Sequence, residues 1–90
     1  MLKLKYVVVR IPSTSTGFEV DQPFVFSELI THRDFAQMSG FKSEQIVGAG
    51  FVFVNKENKF EPYGDSVSLK IGTTPEAHAA FESLFNGYGY

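Results

Sequence analysis

The sequence predicts an α+β fold: a small antiparallel or mixed sheet of three to five strands, with two short helices packed on one face. Three observations predict it, namely an alternating N-terminal segment, an apolar run followed by a polar turn, and two segments with helix-start signals. The chain has 90 residues, so residues 1–90 are expected to form a single domain around one core.

The N-terminal segment has the pattern of a strand. Residues 2–11 alternate apolar and polar side chains up to Tyr6, and both faces become apolar after it. This pattern predicts a central strand, or one whose second face is covered by a helix or a partner subunit. The next segment, Phe18 to Phe26, is extended chain interrupted by Asp21 and Pro23, and the sequence leaves open whether it pairs as an edge strand.

A β-hairpin is predicted in the middle of the chain. Ile46 to Val54 is too β-branched and aromatic to favour a helix, Asn55 to Asn58 supplies a turn, and Lys59 to Tyr63 returns. Pro62 places the returning strand at an edge of the sheet. Residues 66–71 alternate polar and apolar side chains again, which predicts a further strand with one solvated face.

Two helices are predicted from their termini. Thr31 and Asp34 form a capping-box-like pair, and Gly40 supplies the left-handed residue that ends this first helix. Thr74 is placed as the N-cap of the second helix, with Pro75 at its first position. The apolar stripe predicted to face the sheet from the second helix comprises Ala77, Phe81, Leu84 and Phe85.

The composition excludes several classes of function. The chain has no cysteine and two histidines, so no disulfide framework or thiolate metal site is expected, and no metal or cofactor is predicted. Its formal net charge is −2 with both signs scattered, which argues against a nonspecific nucleic-acid binder. No apolar run approaches the roughly 20 residues that span a bilayer, and no signal-peptide cleavage site follows the N-terminal lysines. A cytoplasmic protein is therefore expected.

No residues form a recognisable catalytic motif. His32 lies near Asp34, but side chains two positions apart do not share a helix face, so His32 is expected in the solvated first turn. His78 is expected on the outer face of the second helix. The sequence therefore predicts a protein that is not an enzyme.

A polar bend carries the candidate ligand site. A carboxylate and two hydroxyls gather near Gly64, and they could hold a small polar ligand or equally form an Asx-type structural turn. The glycine pair at 48 and 50 resembles part of an RNA-recognition signature but lacks its basic residue and two of its aromatics, and the alternative is a bulge or a close backbone contact. The candidate ligand-binding residues are Gly48, Gly50, Tyr63, Gly64, Asp65, Ser66 and Ser68.

A second candidate site is an interaction surface. Val7 and Val9 on the second face of the first strand, with Tyr88 and Tyr90 in the C-terminal tail, would form an aromatic, weakly charged surface typical of protein interfaces. The alternative is a fully buried strand and a disordered tail.

Several short motifs resemble those of a group of small uncharacterised proteins encoded by tailed bacteriophages and prophages. In that group a phrase like "FP..LTH" precedes "SAGFV", a Tyr/Phe-Gly-acid-Ser-x-Ser-Leu bend and a Pro-Glu helix start. The matching residues here are Phe26, Leu29, Thr31, His32, Ala49 to Val52, Tyr63 to Leu69 and Thr74 to Ala77. Ser27 stands where a proline is common. The resemblance covers about residues 24–81 and implies a phage accessory protein, with no activity known for the group.

Two functions of different classes are therefore expected. The first is an interaction or inhibitor module that binds a host or phage protein. The second is a protein that sequesters a small ligand such as a nucleotide, as a homodimer or larger assembly. A virion component or an RNA-binding module is a weaker alternative.

Overall fold

The computed structural model describes residues 2–12 and 17–85, with the side chains of Leu2 and Leu84 left out. A 3-10 turn at Ser43–Gln45 leads into the third strand. The strands are β1 (Leu2–Pro12), β2 (Glu19–Phe26), β3 (Ile46–Val54), β4 (Phe60–Tyr63), β5 (Asp65–Ser66) and β6 (Ile71–Gly72), and the helices are α1 (His32–Ser39) and α2 (Pro75–Leu84).

The main sheet has four antiparallel strands in the order β2-β1-β3-β4, and β5 and β6 form a separate two-stranded sheet. The predicted α+β class is confirmed. β1 is the central strand that its apolar pattern predicted, because Tyr6 lies opposite Val25 of β2 and Gly50 of β3. Phe18 to Phe26, whose pairing the sequence left open, contains the edge strand β2.

The predicted hairpin is confirmed by β3 and β4. Phe51 lies opposite Tyr63 and Val54 lies opposite Phe60, so β4 forms the far edge of the sheet. The turn is held by Asn55, whose Oδ1 accepts hydrogen bonds from the N–H groups of two turn residues at 2.8 and 3.1 Å. In an Asx-type turn of this kind, the asparagine side chain accepts hydrogen bonds from backbone N–H groups that have no partner in a neighbouring strand.

The predicted strand over residues 66–71 is wrong. Only the two-residue strands β5 and β6 form, with a turn between them. The Ser66 hydroxyl accepts a hydrogen bond from the N–H of Leu69 at 3.1 Å, and Lys70 adopts a left-handed conformation with φ of 58°. A local hydroxyl-to-backbone bond has therefore outcompeted the extended conformation that the alternating pattern favoured.

The two helices cover opposite faces of the sheet, which corrects the prediction that both pack on one face. Tyr6 and Val8 point to a core that includes Phe81 of α2. Val7 and Val9 point to a second core that includes Ala36 of α1. Because β1 is apolar on both faces, each face needs its own cover.

Both helix starts are confirmed. The Thr31 hydroxyl accepts from the N–H of Asp34 at 3.0 Å, and the Thr74 hydroxyl accepts from the N–H of Ala77 at 3.2 Å. Gly40 ends α1 in the left-handed conformation with φ of 77°. No helix in the described parts of the chain is long and apolar enough to cross a membrane.

The α2 core is sealed around an aromatic pair. Phe81 is fully buried, and its ring packs edge-on against that of Tyr6 at a centroid distance of 5.1 Å. The Tyr6 hydroxyl donates to the Thr73 hydroxyl at 2.7 Å, which in turn donates to the carbonyl oxygen of Gly64 at 2.8 Å. Burial raises the pKa of Tyr6, the hydrogen bond to Thr73 opposes this shift, and the nearby charge of Asp65 adds to it.

Candidate binding surface

One end of the α1 face is not sealed by the helix. The α1 core lies over Val7, Val9 and Ala49, all fully buried. Beyond it, towards the start of β1, Phe51 and Phe53 are half-buried. The helix therefore covers part of this face and leaves aromatic side chains accessible at the other end.

At this end of the sheet, the pairing of β1, β3 and β4 places side chains in two rows that run across the strands. Lys5 lies opposite Phe51, which lies opposite Tyr63. The adjacent row is Lys3, Phe53 and Glu61. Side chains directly opposite each other on one face of a sheet are in contact distance. The aromatic surface, as we name it, consists of Lys3, Phe51, Phe53 and Tyr63.

Ring contacts hold the aromatic surface in place. The Tyr63 centroid lies 5.9 Å from that of Phe51 and 5.6 Å from that of Phe53. The Lys3 ammonium lies 4.7 Å from the centroid of the Phe51 ring, which is cation–π distance. Tyr63 is nevertheless 38 % exposed. The surface is thus ordered, aromatic, open to solvent and positively charged at one side.

His32 lies next to this surface and is buried, with 3 % exposure, which corrects its predicted place in a solvated turn. Its Nε2 lies 2.7 Å from the carbonyl oxygen of Gly50, and this nitrogen must be the donor because a carbonyl oxygen only accepts. The ring packs edge-on against Phe26 and Phe51 at 5.6 and 5.9 Å. Desolvation lowers the pKa of His32, with Lys5 adding to the shift and the Gly50 hydrogen bond opposing it.

A small cleft of about 250 Å³ opens beside His32 and Phe51. The Lys5 ammonium, which donates to the carbonyl oxygen of Ile30 at 2.9 Å, lies on its wall. Val67, 88 % exposed, stands at the cleft as a further apolar group. The other lining residues are Thr31, Asp65 and Ser68. The cleft has room for a single side chain of a partner.

The predicted ligand-binding residues do not gather in one cleft. A Cβ at Gly48 would lie 3.0 Å from the Ala77 side chain, and one at Gly50 would lie 2.6 Å from the Tyr63 carbonyl oxygen. Both glycines therefore allow close packing against a neighbouring element, as the structural alternative predicted. Ser66 is buried and holds the turn through Leu69.

The remaining residues of the bend are accessible. Tyr63, Gly64 and Asp65 are exposed, and Ser68 is partly exposed. The Ser68 hydroxyl accepts from the N–H of Arg33 at 3.2 Å, and its carbonyl oxygen accepts from the Arg33 guanidinium at 3.0 Å. Ser68 thus ties the bend to the first turn of α1.

The predicted interaction residues Val7 and Val9 cannot form an exposed surface. Both are fully buried beneath α1, which is the alternative that the sequence left open for this strand. Tyr88 and Tyr90 lie outside the described residues. His78 is exposed on α2, as predicted. Among residues 2–12 and 17–85 no three His, Cys, Asp or Glu side chains come together as metal ligands.

Sequence reasoning missed the lysine–aromatic rows. The alternating sequence places Lys3 and Lys5 on one face of β1. It does not give the β1–β3 register, which sets Lys3 opposite Phe53 and Lys5 opposite Phe51.

Comparisons with protein-family models, curated proteins and solved structures found no match for this chain.

Proposed function

We propose that this chain is a non-enzymatic binding module of the phage accessory kind, and that its aromatic surface contacts a host or phage protein. The observation that carries the proposal is the open end of the α1 face, where Tyr63 is 38 % exposed between Phe51 and Phe53. Aromatic side chains held by neighbours are the typical anchors of protein interfaces, because they bury a large area at little entropic cost.

The charges and the small cleft define the partner further. Lys3 and Lys5 lie in the two rows on the same side of the aromatic rings, while the Glu61 carboxylate already accepts a hydrogen bond from Asn55 at 3.1 Å. A partner segment with acidic side chains around an apolar anchor complements this pattern. The anchor would enter the cleft between Phe51 and Val67.

The alternative function, binding of a small ligand at the polar bend, has less support than the interaction module. Gly48, Gly50 and Ser66 are each explained by a packing or turn contact within the fold. The interaction module is therefore the better supported of the two functions.

Quantitative affinity purification with three tagged forms tests the proposal: wild type, Tyr63→Ser and Met38→Ser. Met38 is the matched control because it is an apolar side chain on α1 with 71 % exposure, outside the aromatic surface. The bait is purified from expressing bacterial cells, with and without phage infection, and bound proteins are quantified by mass spectrometry. We expect at least one protein whose recovery falls about tenfold with Tyr63→Ser and is unchanged with Met38→Ser.

The purified partner then provides the decisive measurement. Its affinity for the Tyr63→Ser variant should fall as in the pull-down, and Lys3→Glu should mainly slow association, since rim charges act on the encounter rate. Equal recovery of every bound protein by wild type and Tyr63→Ser contradicts the proposal. Recovery of a co-expressed untagged copy of this chain as the only bound protein would instead indicate a homodimer.

A further inference from the structure

A second and larger cleft lies on the other side of Ser68, between α1, the 3-10 turn and the turn that joins β5 to β6. Its volume is about 410 Å³, within the roughly 300–1,000 Å³ range of small-molecule sites. The aromatic surface and the small cleft share only Ser68 with it. The proposed protein interface therefore does not account for it.

The floor of the larger cleft is apolar and fixed in position. Ala36 and Ile46 are buried members of the α1 core, and Phe41 and Leu69 pack against that core at its edge. The Phe41 ring is held by Phe24 at a centroid distance of 5.1 Å. A preformed floor of this kind can accept a flat apolar group without reordering side chains.

Two cations stand in the lining, and no acidic residue lies among the lining residues. Arg33 uses one guanidinium N–H for the carbonyl oxygen of Ser68 at 3.0 Å, which leaves further donors for a ligand. The Lys70 ammonium makes no hydrogen bond or ion pair within the described parts of the chain. Asp34 and Glu44, each next to a lining residue in the sequence, are exposed and do not line the cleft, and Asp65 lines a separate cleft that Lys70 also borders.

Lys70 is also held in an unfavourable backbone conformation. Its φ of 58° lies in the left-handed region, which a lysine adopts only at a cost in free energy. The turn bond from the Leu69 N–H to the Ser66 hydroxyl fixes the preceding residue. Glycine or asparagine would suit this position better, so the turn keeps a cation beside the cleft at some cost in stability. Strained residues of this kind concentrate at functional sites.

We propose that the larger cleft binds a small organic anion with a flat aromatic body, of the mononucleotide type. The anionic group contacts Arg33 and Lys70 at the mouth, and the base lies over Phe41 and Leu69. The arrangement combines charge-assisted hydrogen bonds to the anionic group at one end with apolar contact to the ring face at the other. This site would operate independently of the aromatic surface.

Calorimetric titration of the full chain tests the proposal, with adenosine 5′-monophosphate as the probe. Inorganic phosphate and adenosine, at the same ionic strength, report the two halves of the probe separately. We expect the nucleotide to bind and to raise the melting temperature in a concentration-dependent way, with adenosine and phosphate each binding at least about tenfold more weakly.

Two variants locate the binding. Arg33→Gln and Lys70→Asn each remove one cation, and each should weaken nucleotide binding about tenfold, the usual loss for one charge-assisted hydrogen bond. Asparagine tolerates the left-handed conformation, so Lys70→Asn should fold at least as stably as wild type while binding less well. Lys56→Gln, in the exposed turn between β3 and β4, is the charge-matched control and should bind as wild type does.

Amide NMR shift mapping provides a readout that does not depend on the variants. Nucleotide addition should move the signals of Phe41 and Leu69 and leave those of Phe53 and Tyr63 in place. The proposal is overturned if the nucleotide does not bind below about 1 mM, or if both cation variants bind it as tightly as wild type. Equal affinity for inorganic phosphate would overturn the role assigned to the apolar floor.

Discussion

The two faces of β1 are covered very differently. On the α2 face, Tyr6 and Val8 lie in a core closed by Phe81, and every one of these side chains is fully buried. On the opposite face, Val7 and Val9 are equally buried, but two residues towards the N-terminus the same face presents Lys5 and then Lys3. One strand therefore supplies a complete core on one side and half a core on the other.

The difference follows from the helices that cover the two faces. α2 has 10 residues and brings Ala77, Ala80 and Phe81 onto the sheet, whereas α1 has 8 residues and contributes Ala36 as its buried apolar residue. The shorter helix cannot cover the whole length of β1 and β3. The part that it leaves open is where Phe51, Phe53 and Tyr63 meet the two lysines. The same sheet is thus a scaffold on one face and a candidate binding surface on the other.

The largest expected effect comes from breaking the closed face. Phe81→Ala removes a fully buried ring that contacts Tyr6 at 5.1 Å and stacks on Phe60 at 6.2 Å, and it should lower the free energy of unfolding by about 3–5 kcal/mol. Tyr63→Ser on the open face should cost only about 1–2 kcal/mol, because the ring is 38 % exposed and loses only its contacts with Phe51 and Phe53. Urea denaturation measures both, and similar losses would contradict the distinction between the faces.

A smaller effect is expected where the chain after β4 crosses close to β3. Gly50→Ala would place a Cβ 2.6 Å from the Tyr63 carbonyl oxygen and 2.8 Å from that of Gly64, so backbone must move, at a cost of about 1–3 kcal/mol. Gly48→Ala is the matched control, since its Cβ would meet the Ala77 and Thr74 side chains at 3.0 Å. We expect it to lose less stability than Gly50→Ala in the same denaturation experiment. The reverse order would show that the 63–64 segment yields more easily than α2.

Local signals in the sequence predicted the parts of the fold that local bonds stabilise. The hydroxyl groups of Thr31 and Thr74 each accept a hydrogen bond from the N–H group of the residue three positions later, and Gly40 ends α1. These helix boundaries could therefore be predicted from residues that are close in the sequence. The turn at Asn55 follows the same logic. The failure at residues 66–71 is also local, because the Ser66 hydroxyl offers the Leu69 N–H a bond that the alternating pattern does not reveal.

The candidate sites depend on long-range pairing and were mostly out of reach. His32 was expected in solvent because its partner, the Gly50 carbonyl oxygen, lies 18 residues further along the chain. The lysine–aromatic rows need the β1–β3 register, which no short motif specifies. An apolar pattern on both faces of β1 is also equally compatible with a helix on each side or with a partner subunit. The sides on which the helices pack therefore could not be assigned from periodicity.

The smallest expected effect is a pH dependence at the boundary between the covered and open halves of the α1 face. His32 has a pKa below the ordinary value of 6.5 because burial disfavours its charged form, and Lys5 adds to this. The unfolded chain therefore binds more protons than the folded chain just below pH 6.5, and stability must fall as the pH drops through this range.

His32→Gln keeps an N–H donor for Gly50 but does not titrate, so its free energy of unfolding should fall less between pH 7.5 and about 5.5. His78→Gln, at an exposed position on α2, is the matched control substitution. Parallel profiles for wild type and His32→Gln would mean that the ring gains a proton as easily in the fold as out of it, and that the open half of the face extends over His32.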